Sequence, residues 1–552
     1  MMFCRQEVLD TDVLVVGAGG AGTRAAIEAH ERGVTVAIVT EGKLPSGCSS
    51  IAMGAIQAAC GTGDSVDIHF RDTMVAGAYL NDKKLVEVMV NEALQRVQDL
   101  EEYGTRIVKE NEKYKLFPFS GSTYPRAIVT NDPYRGGFMR GLVEEVKCRQ
   151  IEIFENIIIT SLLMENCATV GAMGVNLQTG NFLMFGSKST VLASGGAGQL
   201  YPLTTNPQDV TGDGYAMAYR AGAELMDMEF TQSRACIIHP SALKGQPPPG
   251  DGLVTIGGRF YNALGERYMK KYDPVNMEKV TRDLMAIRTH KEIKAGKGTS
   301  RGGVYNDLSG VPEEQLKQFN RFLSACEVEG IDPRWQPIEW APGIHHFMGG
   351  LRINERCETT VPGLYAAGEV AAGVHGANRL SANALTDTQV FGARAGRFAA
   401  ERALSISEPK VDEKQIEVER NEICKILERK DGEDALSVRK EIKKIMGKYV
   451  SISRNKEELE LAIRKIEKIK RSQLPKLCVV DEKPSSLREA LKAASFVDVG
   501  EMVARAALMR TESRGAHYRE DYSQRDDKNW LKNIVIRLQE GRMKLHLIPA
   551  RP

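Results

Sequence analysis

The sequence predicts an α/β protein in which a Rossmann-like dinucleotide-binding domain carries an inserted α+β capping domain and a helical C-terminal domain. Three observations support this fold class. A glycine-rich turn follows an apolar segment near the start of the chain, the composition changes between residues 231 and 335, and the chain after residue 408 is rich in Lys and Glu. We therefore expect the dinucleotide-binding domain in two parts, 1–230 and 336–407, with the capping domain at 231–335 and the helical domain at 408–552.

The first forty residues have the pattern of a βαβ unit. An apolar run at 12–16 is followed by GAGGAG at 17–22, an alanine-rich stretch, a second apolar run at 34–39 and then an acid. Glycines in such a turn let backbone N–H groups approach a pyrophosphate, and the acid is placed to accept hydrogen bonds from ribose hydroxyls. The predicted dinucleotide contacts in this unit are Gly17, Gly19, Gly20, Ala21, Gly22 and Glu41.

Three later segments also place glycine-rich turns beside short apolar runs. They read TVLASGGAGQ at 190–199, TGDG at 211–214 and TVPGLYAAGE at 360–369. Each alone is typical of an ordinary strand and turn. In this order, and after a βαβ unit, they predict a sheet that binds FAD, because that cofactor lies extended and contacts several loops.

Charge and cysteine usage disfavour several classes of protein. The chain has 74 Lys and Arg against 72 Asp and Glu, and its formal charge of +2 gives no indication of nucleic-acid binding. No apolar run reaches the roughly 18 residues of a membrane-spanning helix, and the acidic start is unlike a secretory signal. The ten cysteines are scattered without a C-x-x-C pair, which predicts reduced thiols and no metal or iron–sulfur cluster held by this chain.

The Lys- and Glu-rich segment after residue 408 has apolar residues at helical spacing, which predicts an amphipathic helical bundle. Asn455, with Glu458 three residues later, is typical of a helix N-cap. The apolar positions of the two best-defined helices are Val438, Ile442, Ile445 and Tyr449, then Leu459, Ile463, Ile466 and Ile469.

Nine motifs together resemble one family. They include VVGAGGAGTRAAI, ASGGAG, TGDG, DMEF at 227–230, TRD at 281–283, HHFMGG at 345–350 and LYAAGE. The most specific are HGANRLSANAL at 375–385 and TESRGAHYREDYSQRDD at 511–527. Over nearly its whole length the chain resembles the flavoprotein subunit of succinate dehydrogenase and fumarate reductase, within a wider group that includes L-aspartate oxidase and adenylylsulfate reductase.

The resemblance implies hydride transfer between flavin N5 and a carbon of a dicarboxylate, with a proton exchanged at the neighbouring carbon. Arg379 in HGANRL matches the arginine that binds a substrate carboxylate, a role that suits the planar guanidinium. His345 in HHFMGG matches a histidine that hydrogen-bonds a carboxylate. Arg282 in TRD matches the arginine proposed as the proton shuttle, which requires a strongly cationic neighbourhood because an arginine pKa normally exceeds about 12. We interpret His346 as structural.

The resemblance also assigns cofactor contacts. Glu369 is expected at the ribityl chain or a ribose, and Asp213 at another cofactor hydroxyl. A helix that begins in SANAL is expected to point its positive end at the pyrimidine side of the flavin. The further contacts predicted are Ser49, Ser50, Gly54, Ala193, Ser194, Gly195, Asn383 and Leu385.

Cys48 is the first of three departures from the family pattern. It occupies the position of a histidine that, in respiratory members, bonds covalently to the flavin. We expect Cys48 to be a small buried thiol beside a non-covalently held FAD. In the family, loss of the covalent bond lowers the flavin potential and favours fumarate reduction.

The other two departures affect the second carboxylate site. Arg234 stands where the family has a histidine in Gln-x-His-Pro, and the Thr-Glu-x-x-Arg pattern becomes Gly250, Asp251 and Val254. Arg234 either restores the lost positive charge or marks a different acid substrate. A third alternative is that an inserted loop returns His239 to the site.

We therefore predict an FAD-containing subunit that interconverts fumarate and succinate in the reducing direction, with electrons supplied by an iron–sulfur subunit. The electron source is either a thiol-reducing subunit or membrane quinol through an anchor subunit, so the protein is cytoplasmic or held on the cytoplasmic face of the membrane by its partners. One alternative is a flavin oxidoreductase for another substrate, analogous to L-aspartate oxidase or adenylylsulfate reductase. The other is a non-catalytic electron relay, which a retained set of Arg282, His345 and Arg379 disfavours because a relay needs no substrate clamp.

Overall fold

The apolar run before the glycine-rich turn forms the middle of a seven-stranded sheet in the computed structural model. The structure describes residues 6–52, 54–131, 136–248, 254, 257–280, 282–408, 410–429, 431–479, 481 and 483–550. In spatial order the strands of this sheet are β8 (Glu152–Phe154), β2 (Val36–Val39), β1 (Gln6–Val16), β11 (Phe182–Leu192), β10 (Ala168–Asn176) and β9 (Ile157–Glu165), with β18 (Leu364–Ala366) beside β11. Strands β2, β1, β11 and β18 run parallel, so their carboxyl ends and the glycine-rich turns meet at one edge.

The helices flank this sheet and build the C-terminal bundle. In chain order they are α1 (Gly20–His30), α2 (Val66–Ala76), α3 (Lys83–Glu102), α4 (Met139–Cys148), α5 (Asp213–Arg220), α6 (Met269–Tyr272), α7 (Arg282–Glu292), α8 (Glu313–Leu316), α9 (Asn320–Val328), α10 (Asn383–Ser405), α11 (Glu413–Glu428), α12 (Ala435–Tyr449), α13 (Lys456–Ser472), α14 (Pro484–Met509) and α15 (Asp527–Trp530).

Helices α1 and α10 pack almost backbone to backbone. A Cβ added at Gly396 in α10 would lie 2.1 Å from the carbonyl oxygen of Ala25 in α1, and one at Gly392 would lie 2.7 Å from that of Ala21. Only glycine permits this approach without a shift of backbone. The contact brings the amino ends of both helices to the same edge of the sheet.

The capping domain is built on a four-stranded antiparallel sheet. Its strands, in spatial order, are β13 (Thr231–His239), β16 (Ile338–Phe347), β15 (Val304–Asp307) and β14 (Arg259–Tyr261). Strand β16 belongs to this sheet although it lies beyond the predicted boundary at residue 335. Strand β16 completes the capping sheet and then leads the chain back to the FAD-binding domain, so the capping sheet extends past residue 335.

The C-terminal region confirms the helical prediction and adds a hairpin. The apolar positions of α12 and α13 are buried as predicted, except that Tyr449 is half-buried, and the Asn455 side chain accepts a hydrogen bond from the Glu458 N–H at 2.9 Å. The hairpin is β23 (Lys532–Gln539) and β24 (Arg542–Pro549), and β23 pairs with β12 (Leu225–Met226), which also pairs with β17 (Gly350–Leu351). The hairpin therefore completes a sheet that starts in the FAD-binding domain.

The other strands are short and form one three-stranded sheet and three two-stranded sheets among the described residues. These are β3 (Ala55–Gln57), β7 (Ala127–Val129) and β6 (Leu116–Phe117) in one sheet, and the pairs β4 (Lys109–Glu110) with β5 (Lys113–Tyr114), β19 (Glu433–Asp434) with β21 (Leu477–Cys478), and β20 (Ser453–Arg454) with β22 (Tyr518–Arg519). Among the residues that the structure describes, no helix is long and apolar enough to cross a membrane.

The TESRGAHYREDYSQRDD segment forms a buried ionic network. Arg510 Nε donates to Glu229 at 2.6 Å, and its Nη1 donates to Glu512 at 3.1 Å. Arg514 binds the same Glu512 through Nε at 2.7 Å, and all four side chains are fully buried. Arg510 immediately precedes the motif and Glu229 lies in DMEF, so the network of Arg510 with Glu512 and Arg514 joins the C-terminal region to the wall of the FAD-binding domain.

Candidate active site

A cavity of about 1810 Å³ opens where the glycine-rich turns, the capping sheet and the amino end of α10 meet. Between residues 248 and 257 the structure describes only Val254, which lines the cavity. Gly250, Asp251 and Thr281 lie outside the described residues. The predicted site residues that line the cavity are Gly17, Gly19, Gly20, Ala21, Glu41, Cys48, Ser49, Gly54, Ala193, Ser194, Gly195, Asp213, Arg234, Arg282, His345, Glu369, Arg379 and Leu385.

Three predicted cofactor contacts do not line the cavity. Gly22 faces the turn, where an added Cβ would lie 1.9 Å from the Gly17 carbonyl oxygen. Ser50 Oγ donates to the Gly47 carbonyl at 2.7 Å. Asn383 is fully buried at the start of α10, where its Nδ2 donates to Thr73 at 3.0 Å. These three residues belong to motifs with other members that line the cavity, but Gly22 packs against the turn and the side chains of Ser50 and Asn383 make hydrogen bonds to other residues instead.

The turn after β1 is shaped for close approach to a ligand. Gly17 has a φ of 115°, and a Cβ there would lie 2.4 Å from the Ala193 carbonyl oxygen. The turn therefore lies directly against the end of β11, and the first N–H groups of α1 line the cavity. Gly195 has a φ of 76° and open space where a side chain would be.

Glu369 is held by the strand that carries HHFMGG. The Phe347 N–H donates to its Oε1 at 2.9 Å, and His346 Nδ1 lies 3.5 Å from its Oε2. Burial alone would raise the pKa of Glu369, but His346, this N–H and Arg379 outweigh burial and lower it. His346, interpreted as structural from the sequence, thus lines the cavity as a partner of Glu369.

His345 reaches the cavity through a β-bulge. In the pairing of β13 with β16, Gln232 faces His346 and Ser233 faces Ile344, so His345 is the extra residue. Its Nδ1 is 2.7 Å from Thr205 Oγ1. Burial lowers the pKa of His345 well below the usual value, and Arg234, Arg379 and Arg282 lower it further. The imidazole is therefore neutral at pH 7.

Arg379 is a buried guanidinium in a strongly positive site. Burial is the largest cause that lowers its pKa, to about 9, and the nearby charges of Arg282 and Arg234 contribute. Its Nη2 donates to Gln232 Oε1 at 2.9 Å, and Gln232 Nε2 donates to the Arg379 carbonyl at 3.0 Å. Gln232 was not predicted as a site residue, although its place in the Gln-x-His-Pro pattern was a signal for it.

Arg234 and His239 lie on the same strand but in different surroundings. Arg234 is paired in register with Gly343 and lines the cavity beside His345. His239 does not line the cavity, and its Nδ1 is 3.7 Å from the Glu329 carboxylate instead. The structure therefore does not bring His239 to the cavity wall, and the pairing of β13 with β16 has a second register shift between Ile237 and His239.

Two family models match the chain. One, described as an FAD binding domain, matches residues 12–385, and one described as fumarate reductase flavoprotein C-term matches residues 439–551. The chain is 41% identical to a fumarate reductase (CoM/CoB) chain of Methanothermobacter marburgensis, with 96% of this chain and 97% of the relative covered.

The chain belongs to the succinate dehydrogenase and fumarate reductase flavoprotein family. It is also 32% identical to an L-aspartate oxidase of Synechocystis, with 95% of this chain and 96% of the relative covered. An E. coli quinol fumarate reductase mutant superposes with a TM-score of 0.91 at 28% identity, with 99% of this chain and 97% of that chain covered. The chain is thus an FAD-dependent oxidoreductase of this family.

The residues of this flavoprotein fit FAD. Ser194 Oγ and Asp209 Oδ1 are buried without a hydrogen-bond partner, and both residues line the cavity. Asp209 is fixed by its other oxygen, which accepts from the Gly47 N–H at 2.9 Å. Orphaned polar atoms of this kind require partners. An extended ligand with hydroxyl and phosphate groups, laid over the glycine turns, supplies them.

Cys48 lies on the turn Cys48–Ile51 at the cavity wall. Burial raises the pKa of its thiol well above the usual value, and the carboxylates of Glu369 and Asp209 raise it further. The protonated thiol is a poor nucleophile. This environment favours non-covalent FAD.

We expect acid precipitation of the purified flavoprotein to release all yellow cofactor into the supernatant, because a neutral Cys48 forms no bond to the flavin. Absorbance of supernatant and pellet near 450 nm measures the division. Cys48→Ser is the matched control and should hold and release FAD equally. Colour retained in the wild-type pellet and lost from the Cys48→Ser pellet would contradict the prediction.

Proposed function

We propose that this flavoprotein reduces fumarate to succinate, with electrons delivered by an iron–sulfur subunit. The observation that carries the proposal is the convergence of three guanidinium groups and a neutral imidazole on the cavity that receives FAD. Arg234 comes from β13, Arg282 from the start of α7, His345 from β16 and Arg379 from the loop before α10. Fumarate is a dianion that needs both carboxylates neutralised and the molecule held flat.

The proposed clamp divides the two carboxylates between the domains. Arg379, oriented by Gln232, holds one carboxylate from the FAD-binding domain. Arg234 and His345 hold the other from the capping sheet, with Arg234 in place of the family histidine. Thr205 fixes the ring of His345: when its hydroxyl donates to Nδ1, Nε2 carries the proton and donates to the substrate. Bound FAD, once reduced, supplies the hydride that the double bond accepts.

Arg282 is the proposed proton donor to the neighbouring carbon. An arginine is suited to this role only where other cations make its charge costly. Arg282 lies in such a cationic neighbourhood, because its charge contributes to the lowered pKa of both Arg379 and His345. The proton and the hydride together complete the two-electron reduction.

The electrons are proposed to come from a partner subunit. The chain has no clustered cysteines for an iron–sulfur centre, so single electrons must come through another subunit. The Methanothermobacter relative is named for CoM/CoB. On this likeness we favour a thiol-dependent electron source over membrane quinol, and both sources predict the same chemistry in this chain.

A second candidate substrate is L-aspartate. The Synechocystis relative is an L-aspartate oxidase, and Arg234 changes the site for the second carboxylate. The clamp would bind both carboxylates of aspartate as well. The two reactions differ in direction, because aspartate reduces the flavin and fumarate oxidises it.

We expect fumarate to reoxidise the methyl-viologen-reduced protein with one succinate formed per two electrons, measured by viologen absorbance and product analysis. Anaerobic L-aspartate should leave the oxidised flavin spectrum unchanged, and adenylylsulfate and sulfite should have no effect. If L-aspartate bleaches the oxidised flavin spectrum, the protein oxidises L-aspartate and the proposal of fumarate reduction is contradicted. Reoxidation by no small substrate would indicate the electron relay.

Arg379 gives the proposal a pH dependence. Its cation binds the carboxylate, so binding is complete below the pKa of about 9 and is lost as the pH rises through it. We expect kcat/KM for fumarate to fall above about pH 9. Arg379→Lys should lower kcat/KM about 100-fold at pH 7. It should also move the fall in kcat/KM to lower pH, because the ordinary pKa of lysine, about 10.4, is below that of arginine and the same burial and neighbouring cations would lower it further. If kcat/KM falls at the same pH in wild type and in Arg379→Lys, Arg379 does not bind the substrate carboxylate.

Arg234→His tests the altered carboxylate site. Because histidine stands at this position in the family pattern, the variant should keep measurable fumarate reduction, with KM raised about tenfold and kcat changed less. Arg234→Ala should lose at least ten times more activity than Arg234→His. Arg334→His, at an exposed site in the capping domain, is the control and should match wild type. If Arg234→Ala also matches wild type, the residue does not contact the substrate.

A further inference from the structure

Lys492 is a buried lysine whose partners are acids of the cofactor cavity. It lies on α14 in the C-terminal bundle, and its side chain is only 1% exposed. Its Nζ contacts the Glu41 carboxylate, donates to Thr211 Oγ1 at 2.8 Å and lies 3.2 Å from Asp213 Oδ2. A buried ammonium is stable only with such partners. Two of them, Glu41 and Asp213, line the cavity.

The two acids come from separate loops of the FAD-binding domain. Glu41 follows β2 and Asp213 begins α5. Burial is the largest cause that raises the pKa of Glu41, and the charge of Asp213 raises it too, whereas Lys492 lowers it. Without a cation between them, two buried carboxylates repel and one becomes protonated.

The geometry leaves Glu41 able to bind a ligand. Its Oε2 is taken by Lys492 and its Oε1 lies 3.0 Å from Arg488 Nε, one helical turn away on α14. A carboxylate has about four lone-pair positions, so each oxygen keeps acceptor capacity for a hydroxyl. The acid after the second strand of a βαβ unit is the one placed to accept from ribose hydroxyls.

We propose that Lys492 is a cofactor-positioning residue, which holds Glu41 and Asp213 at the ribose end of the FAD site and makes tight FAD binding depend on the docked helix α14. The inference rests on FAD as the cofactor and on the place of Glu41, and it is independent of the substrate. It assigns to the C-terminal bundle a role in cofactor retention in addition to packing.

The first test measures the dissociation constant of FAD. Apoprotein is prepared by expression under riboflavin limitation and titrated with FAD, followed by flavin fluorescence. Lys492→Met should weaken binding at least tenfold. Arg488→Met is the matched control, because Arg488 contacts the same acid from the same face of α14 but is 37% exposed, and it should weaken binding less than threefold. Equal effects of the two substitutions would overturn the proposal.

The pH dependence distinguishes positioning from general destabilisation. Loss of Lys492 raises the pKa of Glu41, whose ionised form is the hydroxyl acceptor. The ratio of dissociation constants, Lys492→Met to wild type, should therefore be larger at pH 6 than at pH 8. A ratio that is the same at both pH values would indicate a merely structural role.

A mutant cycle in a Glu41→Gln, Asp213→Asn background completes the test and covers the case in which Lys492→Met alone does not fold. In this background Lys492→Met leaves neither acid as an unpaired buried charge. If Lys492 acts through Glu41 and Asp213, adding Lys492→Met to this background should weaken FAD binding less than threefold. A further loss of tenfold or more would show that Lys492 acts on FAD independently of both acids and would contradict the proposal.

Discussion

The concentration of positive charge in a single buried cavity is the constraint on which this site depends. Burial and the charges of Arg234, Arg379 and Arg282 lower the pKa of His345, and burial with Arg282 and Arg234 lowers that of Arg379 to about 9. A cavity of this kind is stable only if anions complete it. Glu369 supplies one negative charge from the protein. The proposed dicarboxylate substrate and FAD would supply the others, so the charge of the cavity is consistent with the proposed function.

The positively charged side chains repel one another, so they stay close together only on elements of rigid structure. The capping sheet contributes Arg234 and His345 on adjacent strands, and the loop with Arg379 is fixed through Gln232 on one of them. Behind this wall, Arg510 and Glu229 join the C-terminal segment to DMEF. The TESRGAHYREDYSQRDD motif is therefore architectural. Its Glu512 and Arg514 belong to a buried ionic network with Arg510 and Glu229, in which each side chain depends on its partners.

Local chemistry made much of the fold predictable. The turn at Gly17 has steric requirements that only a short list of residues meets, and the apolar spacing of α12 and α13 is a direct consequence of helical period. Boundaries were less predictable where one strand serves two domains. Strand β16 extends the capping sheet past residue 335, and the C-terminal hairpin pairs with β12 far upstream, because strand pairing is decided by long-range contacts.

By itself, the sequence determined the glycine-rich cradle, the amphipathic helices and the family motifs that single out Arg282, His345 and Arg379, because these depend on residue type at short spacing. Only the tertiary structure decided which side chains meet. It placed His239 beside Glu329, placed His346 beside Glu369 and brought Lys492 to Glu41 across 451 residues of chain. The physical reason is that the partners and the pKa of a buried charged group depend on the residues that surround it. Those residues come from segments that are far apart in the sequence, and the sequence gives no local pattern that predicts their contact.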